Sequence, residues 1–113
     1  MEITSSKTDH ATVISIEGSI DALTADQVTN YFSERMVEGH EQFIADLAKV
    51  DFMSSAGLRA ILATLKHSRQ KGGDLRLAGA QPGVEKILKM SGFTSILKTY
   101  PTVDEAVADL SIA

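Results

Sequence analysis

The chain has 113 residues, the size of one ordinary domain, and its 43% of hydrophobic and 23% of charged residues are typical of a folded globular protein. Eleven basic and fifteen acidic residues give a formal net charge of −4, so nucleic acid and anionic membrane surfaces are not expected partners. There is no cysteine, which excludes disulfides, thiolate metal sites and a cysteine nucleophile.

The first half of the chain predicts two strands, a helix and a third strand. The strands are short runs rich in β-branched or apolar residues, at 2–5, 12–17 and 42–47. Gly18 is expected to end the second strand. Thr24 and Gln27 have the spacing of a capping box, which marks a helix start. Gly39 is expected to end that helix.

The second half continues the alternation of strands and helices. A second helix follows the serine pair at 54–55 and ends at 71–73, and a strand covers 74–78. Pro82 begins a third helix, a short final strand covers 95–100, and Thr102 caps a last helix. Because parallel strands need crossover helices, this β-β-α-β-α-β-α-β-α order predicts an α/β fold with a largely parallel sheet. No linker divides the chain, so we expect a single domain over residues 1–113.

The usual signatures of enzymes, metal sites and membrane proteins are missing from the sequence. His10, His40 and His67 fall in three different elements, and none has a second ligand at a metal-binding spacing. Phosphate-binding glycine loops and the Gly-x-Ser-x-Gly elbow of hydrolases are also missing. The polar, acidic N-terminus does not resemble a signal peptide, and no apolar run approaches the ~18 residues of a membrane span. We therefore expect no metal, no cofactor and no membrane partner.

One segment, 46–58, leads from the end of a strand into the N-terminus of a helix. In open α/β sheets, ligands and partners are usually bound at the carboxyl ends of strands. Ser54 and Ser55 fall at the first helical turn, where free N–H groups and the helix dipole favour negative charge. A phosphate on either serine would add a charge of about −1.5 to −2 to a contact surface. The alternative is that the serines only cap the helix. Phe52 and Met53 are either exposed or turned into the core.

Five segments of the chain carry a family resemblance. They are Gly18-Ser19-Ile20-Asp21, Phe43-Ile44-Ala45-Asp46-Leu47, Val50 to Leu58, Val84 to Phe93, and Tyr100-Pro101-Thr102 through Ala106. In order and spacing they resemble the STAS domain of bacterial anti-sigma factor antagonists. The resemblance implies the STAS fold, a mixed sheet of four to five strands with about four helices packed mainly on one side.

The same resemblance implies a partner-switching function in the cytoplasm. In that family the unphosphorylated antagonist binds an anti-sigma factor, often a serine kinase of the histidine-kinase-like ATPase type. Binding frees a sigma factor or another output protein. The kinase phosphorylates a serine at the start of the second helix, which abolishes binding, and a PP2C-type phosphatase reverses the modification. The protein would then be a switch rather than an enzyme, and we expect a monomer.

The phosphorylation loop departs from the family pattern, which commonly reads Asp-Ser-Ser-Gly or Asp-Ser-Thr-Gly before Leu. Alignment on Gly57 places Ser54 at the Asp position, Ser55 at the first hydroxyl and Ala56 at the second. The resemblance therefore implies Ser55 as the phosphorylation site, with Ser54 as second choice. The partner-binding residues that it implies are Asp21, Met53, Ser54, Ala56 and Gly57. Asp21 would orient the hydroxyl or contact the nucleotide site of the kinase, although it could equally be a helix N-cap.

Two other functions remain open from the sequence. A STAS module that does not switch, such as a scaffold or a transport-accessory subunit, would use the same surface without phosphorylation. Ala56 keeps this alternative open, because it stands where the family commonly has its second hydroxyl. A small enzyme with Ser55 as its nucleophile would need a base, and the sequence offers no convincing histidine for that role.

Overall fold

The computed structural model describes residues 1–112, and the side chains of residues 1–110. The strands are β1 (Glu2–Lys7), β2 (Thr12–Ile20), β3 (Gln42–Met53), β4 (Asp74–Ala78) and β5 (Thr99–Tyr100). The helices are α1 (Ala25–Val37), α2 (Ser55–Gln70), α3 (Pro82–Met90) and α4 (Val103–Ile112). The predicted order of strands and helices is confirmed. A 3₁₀ turn over Phe93–Ser95 precedes the last strand, which is shorter than predicted.

The five strands form one mixed sheet in the order β1-β2-β3-β4-β5. β1 runs antiparallel to β2, because only a short polar turn joins them. The other neighbours are parallel, and each pair is joined through a helix. This arrangement brings the carboxyl ends of β2 and β3 together at one edge of the sheet.

The two faces of the sheet are covered unequally. One face carries α1, α2 and α3 over a continuous apolar core, in which Phe32 of α1 meets Phe43 of β3 edge to face with 5.4 Å between ring centroids. The buried residues of this core are Ile14, Ile16, Ile20, Val28, Phe32, Met36, Phe43, Ala45, Leu47, Val50, Met53, Ile61, Leu65, Leu75, Leu77, Val84, Leu88 and Leu97. The expected packing of helices mainly on one side is confirmed.

The opposite face is covered, among the described residues, by α4. Thr102 caps this helix as predicted, since its hydroxyl oxygen accepts the Glu105 N–H at 3.2 Å. Few buried residues lie between α4 and the sheet, and most are small: Ala11, Val13, Ile44, Ala78 and, on α4 itself, Ala106. Tyr100 donates a hydrogen bond to Asp109, and burial together with this bond raises the pKa of Tyr100. Arg76 is buried on the same face at 8% exposed, and its Nε and Nη1 have no hydrogen-bond partner among the described residues.

β2 and β3 extend further than the sequence predicts. Gly18 does not end β2, which continues through a positive φ of 112° at Gly18 to Ile20. β3 continues to Met53 instead of ending near Leu47. The pairing of the two strands shifts twice along this extension, and each time β3 holds one residue more than β2. Such bulges bend a strand and redirect its side chains, which breaks the two-residue alternation used to predict strands.

Candidate functional site

The start of α2 is fixed against the end of β2. The Ser54 N–H donates to the Ile20 carbonyl oxygen at 3.0 Å, next to the last pair of the β2–β3 ladder. Gly57 is buried in the first turn of α2, and a Cβ added to it would lie 2.3 Å from the same carbonyl oxygen. Only glycine therefore lets the helix approach the strand this closely. The role of Gly57 is backbone packing, and it offers no side chain to a partner.

Ser54 is the N-cap residue of α2. It has extended backbone angles, φ −87° and ψ 176°, and its Oγ accepts the Gly57 N–H at 3.2 Å. The capping interpretation is therefore confirmed for Ser54. Because this bond holds the half-buried hydroxyl in the cap, Ser54 is the less accessible of the two serines.

Ser55 is the first residue of α2, and its side chain is exposed. Within the part of the chain that the structure describes, its hydroxyl makes no hydrogen bond. The backbone N–H groups of Ser55 and Ala56 are likewise without partners there, as is usual in a first helical turn. Together with the positive end of the helix dipole, these donors favour an anion at the position of the Ser55 hydroxyl.

Asp21 organises the loop from β2 to α1. Its Oδ1 accepts the Leu23 N–H at 3.0 Å, and its carbonyl oxygen accepts the Ala25 N–H at 2.8 Å. Thr24 occupies the N-cap position, but its side chain does not cap the helix, so the predicted capping box is wrong. The reason is that the Thr24 hydroxyl accepts the Asp21 N–H and donates to the carbonyl oxygen of Ser19. Asp21 is half-buried and is not the N-cap either.

The apolar part of the surface differs from the expected one. Met53 is 1% exposed and belongs to the core, so its assignment to the docking surface was wrong. The two bulges turn Met53 inward and leave its neighbour Phe52 52% exposed. Leu23, in the loop held by Asp21, is 93% exposed. Sequence reasoning missed Leu23, and an apolar residue in a polar loop was the signal that could have found it.

A shallow groove of about 520 Å³ lies between α1 and α2 beside Ser55. Small side chains make most of its walls, among them Ala56, which is half-buried. The lining residues are Ala22, Ala25, Asp26, Thr29, Ala56, Arg59, Ala60 and Ala63. We define the docking face as Leu23, Phe52, Ser55, Ala56 and Arg59. It combines exposed apolar groups, one hydroxyl and one cation, which is a composition suited to binding another protein.

The histidines lie away from Ser55. His40 follows α1 and its Nδ1 hydrogen-bonds the Thr12 hydroxyl, at the amino ends of the parallel strands. His67 lies on α2 twelve residues beyond Ser55, which is about 18 Å along the helix axis, and its Nδ1 contacts the Ser33 hydroxyl at 3.4 Å. Neither ring is in position to activate the Ser55 hydroxyl.

The described residues contain no cluster of three or more histidine, aspartate or glutamate side chains that could hold a metal ion. Among the same residues, no helix has the length and apolar character needed to cross a membrane.

The sequence profile of the STAS domain matches residues 2–106. BtrV of Bordetella bronchiseptica, provisionally named an anti-sigma factor antagonist, is 30% identical over 113 residues, which are 100% of this chain and 97% of that protein. The anti-sigma F factor antagonist of Paenibacillus polymyxa is 30% identical over 101 residues, 88% of this chain and 86% of its own.

Solved structures also share the fold. The unphosphorylated form of the anti-sigma factor antagonist SpoIIAA superposes with a TM-score of 0.82 at 19% identity, over 99% of this chain and 98% of that one. The phosphorylated form of the Bacillus cell fate determinant SpoIIAA superposes with a TM-score of 0.72 at 21% identity, over 96% and 98%. At these identities the likeness establishes a common fold.

Proposed function

Since the chain belongs to the STAS domain family, we propose that it is an anti-sigma factor antagonist that acts by binding. Its partner is an anti-sigma factor that is also a serine kinase of the histidine-kinase-like ATPase type, and both act in the cytoplasm. Binding frees the sigma factor or another output protein. The names of the curated relatives support the antagonist role.

We infer further that Ser55 is the phosphorylated residue of this switch. The observation that carries this step is the exposed hydroxyl of Ser55, which makes no hydrogen bond among the described residues. Ser54 is the weaker candidate, because its hydroxyl already accepts the Gly57 N–H. A PP2C-type phosphatase would restore the binding form.

Phosphorylation would abolish binding for two physical reasons. A phosphate at Ser55 must lose water when the docking face is covered, and it repels acidic groups of the partner. It also stands one residue before Ala56, which lines the groove where apolar contacts of the complex would form. The loss of one well-buried contact can reach several kcal/mol, and ~4 kcal/mol is about a thousandfold in affinity.

The first test is to map phosphopeptides of the protein isolated from its native cells, before and after phosphatase treatment. We expect one phosphate, on Ser55. A phosphate on Ser54 would move the site by one residue and keep the switch. No phosphate under any growth condition would favour a STAS module that binds without switching.

The second test uses the anti-sigma factor captured from the same cells and then purified. Ser55→Ala should bind it constitutively, and Ser55→Asp should bind about a hundredfold to a thousandfold more weakly. Ser54→Asp is the matched control, because it adds the same charge one residue away, at a position where aspartate is a good N-cap. Equal affinity of the two Ser55 variants would contradict the switch.

A further inference from the structure

Arg59 is the free arginine of the docking face. It is exposed, and within the described residues its guanidinium makes no hydrogen bond or ion pair. Other surface arginines are held in place. Arg35 pairs with Glu38 at 2.8 Å, and Arg69 pairs with Asp74 at 3.1 Å and donates to the Ile96 carbonyl oxygen at 2.8 Å. Arg59 therefore keeps its full pairing capacity for another anion.

Arg59 and Ser55 are neighbours on the surface of α2. They are four residues apart, which brings Cβ atoms to about 5–6 Å on one helix face. Helical side chains lean toward the N-terminus, so the Arg59 side chain extends over the first turn, where Ser55 lies. An acid placed four residues before a base is also the more favourable orientation of such a pair. The guanidinium fork matches two oxygens of a phosphate.

We propose that Arg59 is the intramolecular counter-ion of a phosphate on Ser55, so that phosphorylation also withdraws the free cation of the docking face. The proposal rests on the proposed phosphorylation of Ser55. In the unmodified protein, Arg59 is available to an acidic group of the partner. In the phosphorylated protein, the same guanidinium binds the phosphate of its own helix. The switch then acts twice, because it adds an anion and removes a cation from one surface.

Asp26 is the competing acid. It lines the same groove as Arg59, on the α1 side, yet the two form no ion pair among the described residues. A phosphate carries about twice the charge of a carboxylate and has three acceptor oxygens. It should therefore capture the guanidinium that Asp26 leaves free.

The test is a phosphorus-31 NMR titration of the whole chain with phosphoserine incorporated genetically at position 55, which needs neither kinase nor partner. A nearby guanidinium stabilises the dianionic phosphate and lowers its second pKa. We expect Arg59→Gln to raise that pKa by about 0.15–0.4 pH unit. Arg59→Lys should raise it by less, because the charge remains and the fork is lost.

Lys66→Gln is the matched control. It removes one positive charge from the exposed side of the same helix, eleven residues beyond Ser55 and about 16 Å along the axis. Screening over that distance should leave the phosphate pKa unchanged. An equal pKa in the wild type and Arg59→Gln, with both folded by circular dichroism, would overturn the proposal. So would an equal shift in Lys66→Gln, because the effect would then be one of net charge.

The titration of the phosphoserine protein and the binding of the anti-sigma factor can fail independently of each other. If the phosphorylated protein binds the anti-sigma factor as tightly as the unmodified protein, the proposed switch fails whatever the titration gives. If the titration shows no effect of Arg59 while phosphorylation still abolishes binding, the switch stands and the counter-ion proposal alone fails.

Discussion

The two faces of the sheet bury apolar side chains to different extents. The face beneath α1, α2 and α3 is a continuous apolar core, and the face beneath α4 has five small or medium buried residues and a buried arginine. The rest of that second face is polar, and Ser15 donates to Asp46 there at 3.4 Å. Three of the five docking-face residues, Ser55, Ala56 and Arg59, lie on α2, which packs on the well-packed side. The α2 part of the docking face, which must present a fixed surface, therefore has the continuous apolar core behind it.

The largest effect should come from matched truncations of the two cores. Ile14 faces α1–α3 and Ile44 faces α4, and both are 0% exposed in central strands. We expect Ile14→Ala to lower the free energy of unfolding by about 4 kcal/mol, and Ile44→Ala by about 2.5 kcal/mol, since α4 can settle into the space. Urea unfolding of both variants measures the difference. Equal losses would mean that the two faces are packed equally well.

The second prediction concerns the close approach of α2 to β2. Gly57→Ala places a methyl group against the backbone oxygen of Ile20, which cannot move aside as a side chain would. We expect a loss of about 3 kcal/mol in the free energy of unfolding, together with a shift of the docking face.

Gly83→Ala is the control for that substitution, because it makes the same change in α3, where no described atom from outside the helix backbone lies within 4 Å of the added Cβ. The free energy of unfolding should rise by up to about 1 kcal/mol, because alanine has a higher helix propensity than glycine. An unchanged urea midpoint in Gly57→Ala would show that the helix can shift along the strand without cost.

The arrangement of elements was predictable because each has a local signature. Alternating β-branched residues, helical apolar stripes and the cap at Thr102 act within a few residues. The cap at Ser54 was predictable for the same reason. The site differed from the prediction where a side chain forms its hydrogen bonds outside its own helix. The Thr24 hydroxyl hydrogen-bonds the backbone of Ser19 and Asp21 and does not cap α1. The spacing of Thr24 and Gln27 alone does not show this.

The ends of β2 and β3 were the least predictable part. Their bulges arise from the pairing of two strands, so neither strand carries the signal alone. That is why Met53, expected on the docking surface, lies in the core, while its neighbour Phe52 is exposed. Arg59 was also missed, because its importance depends on what is placed on Ser55, four residues before it.

The third prediction tests the less well packed face. The Arg76 guanidinium is buried with two unpartnered nitrogens among the described residues, which is unfavourable for a charged group. Arg76→Met removes the cost of burying these two nitrogens together with the interaction of Arg76 with Tyr100. Because the desolvation cost is the larger of the two, we expect the free energy of unfolding to rise by about 1–2 kcal/mol.

Arg69→Met is the control for Arg76→Met, because Arg69 bonds both Asp74 and the Ile96 carbonyl oxygen. It should lower the free energy of unfolding slightly. A destabilised Arg76→Met would mean that the second face depends on its arginine, and the contrast between the faces would weaken.

The smallest effect separates the two serines of the docking face. Ser54→Ala removes the oxygen that accepts the Gly57 N–H, so the free energy of unfolding should fall by about 1 kcal/mol. Ser55→Ala removes a hydroxyl that bonds to none of the described residues and should change stability by less than about 0.5 kcal/mol. Chemical unfolding of the two variants side by side makes the measurement. A large loss at Ser55 would reveal a structural role for its hydroxyl, and its exposure would then no longer argue for modification. A loss confined to Ser54 leaves one serine to hold the helix and the other free to be modified.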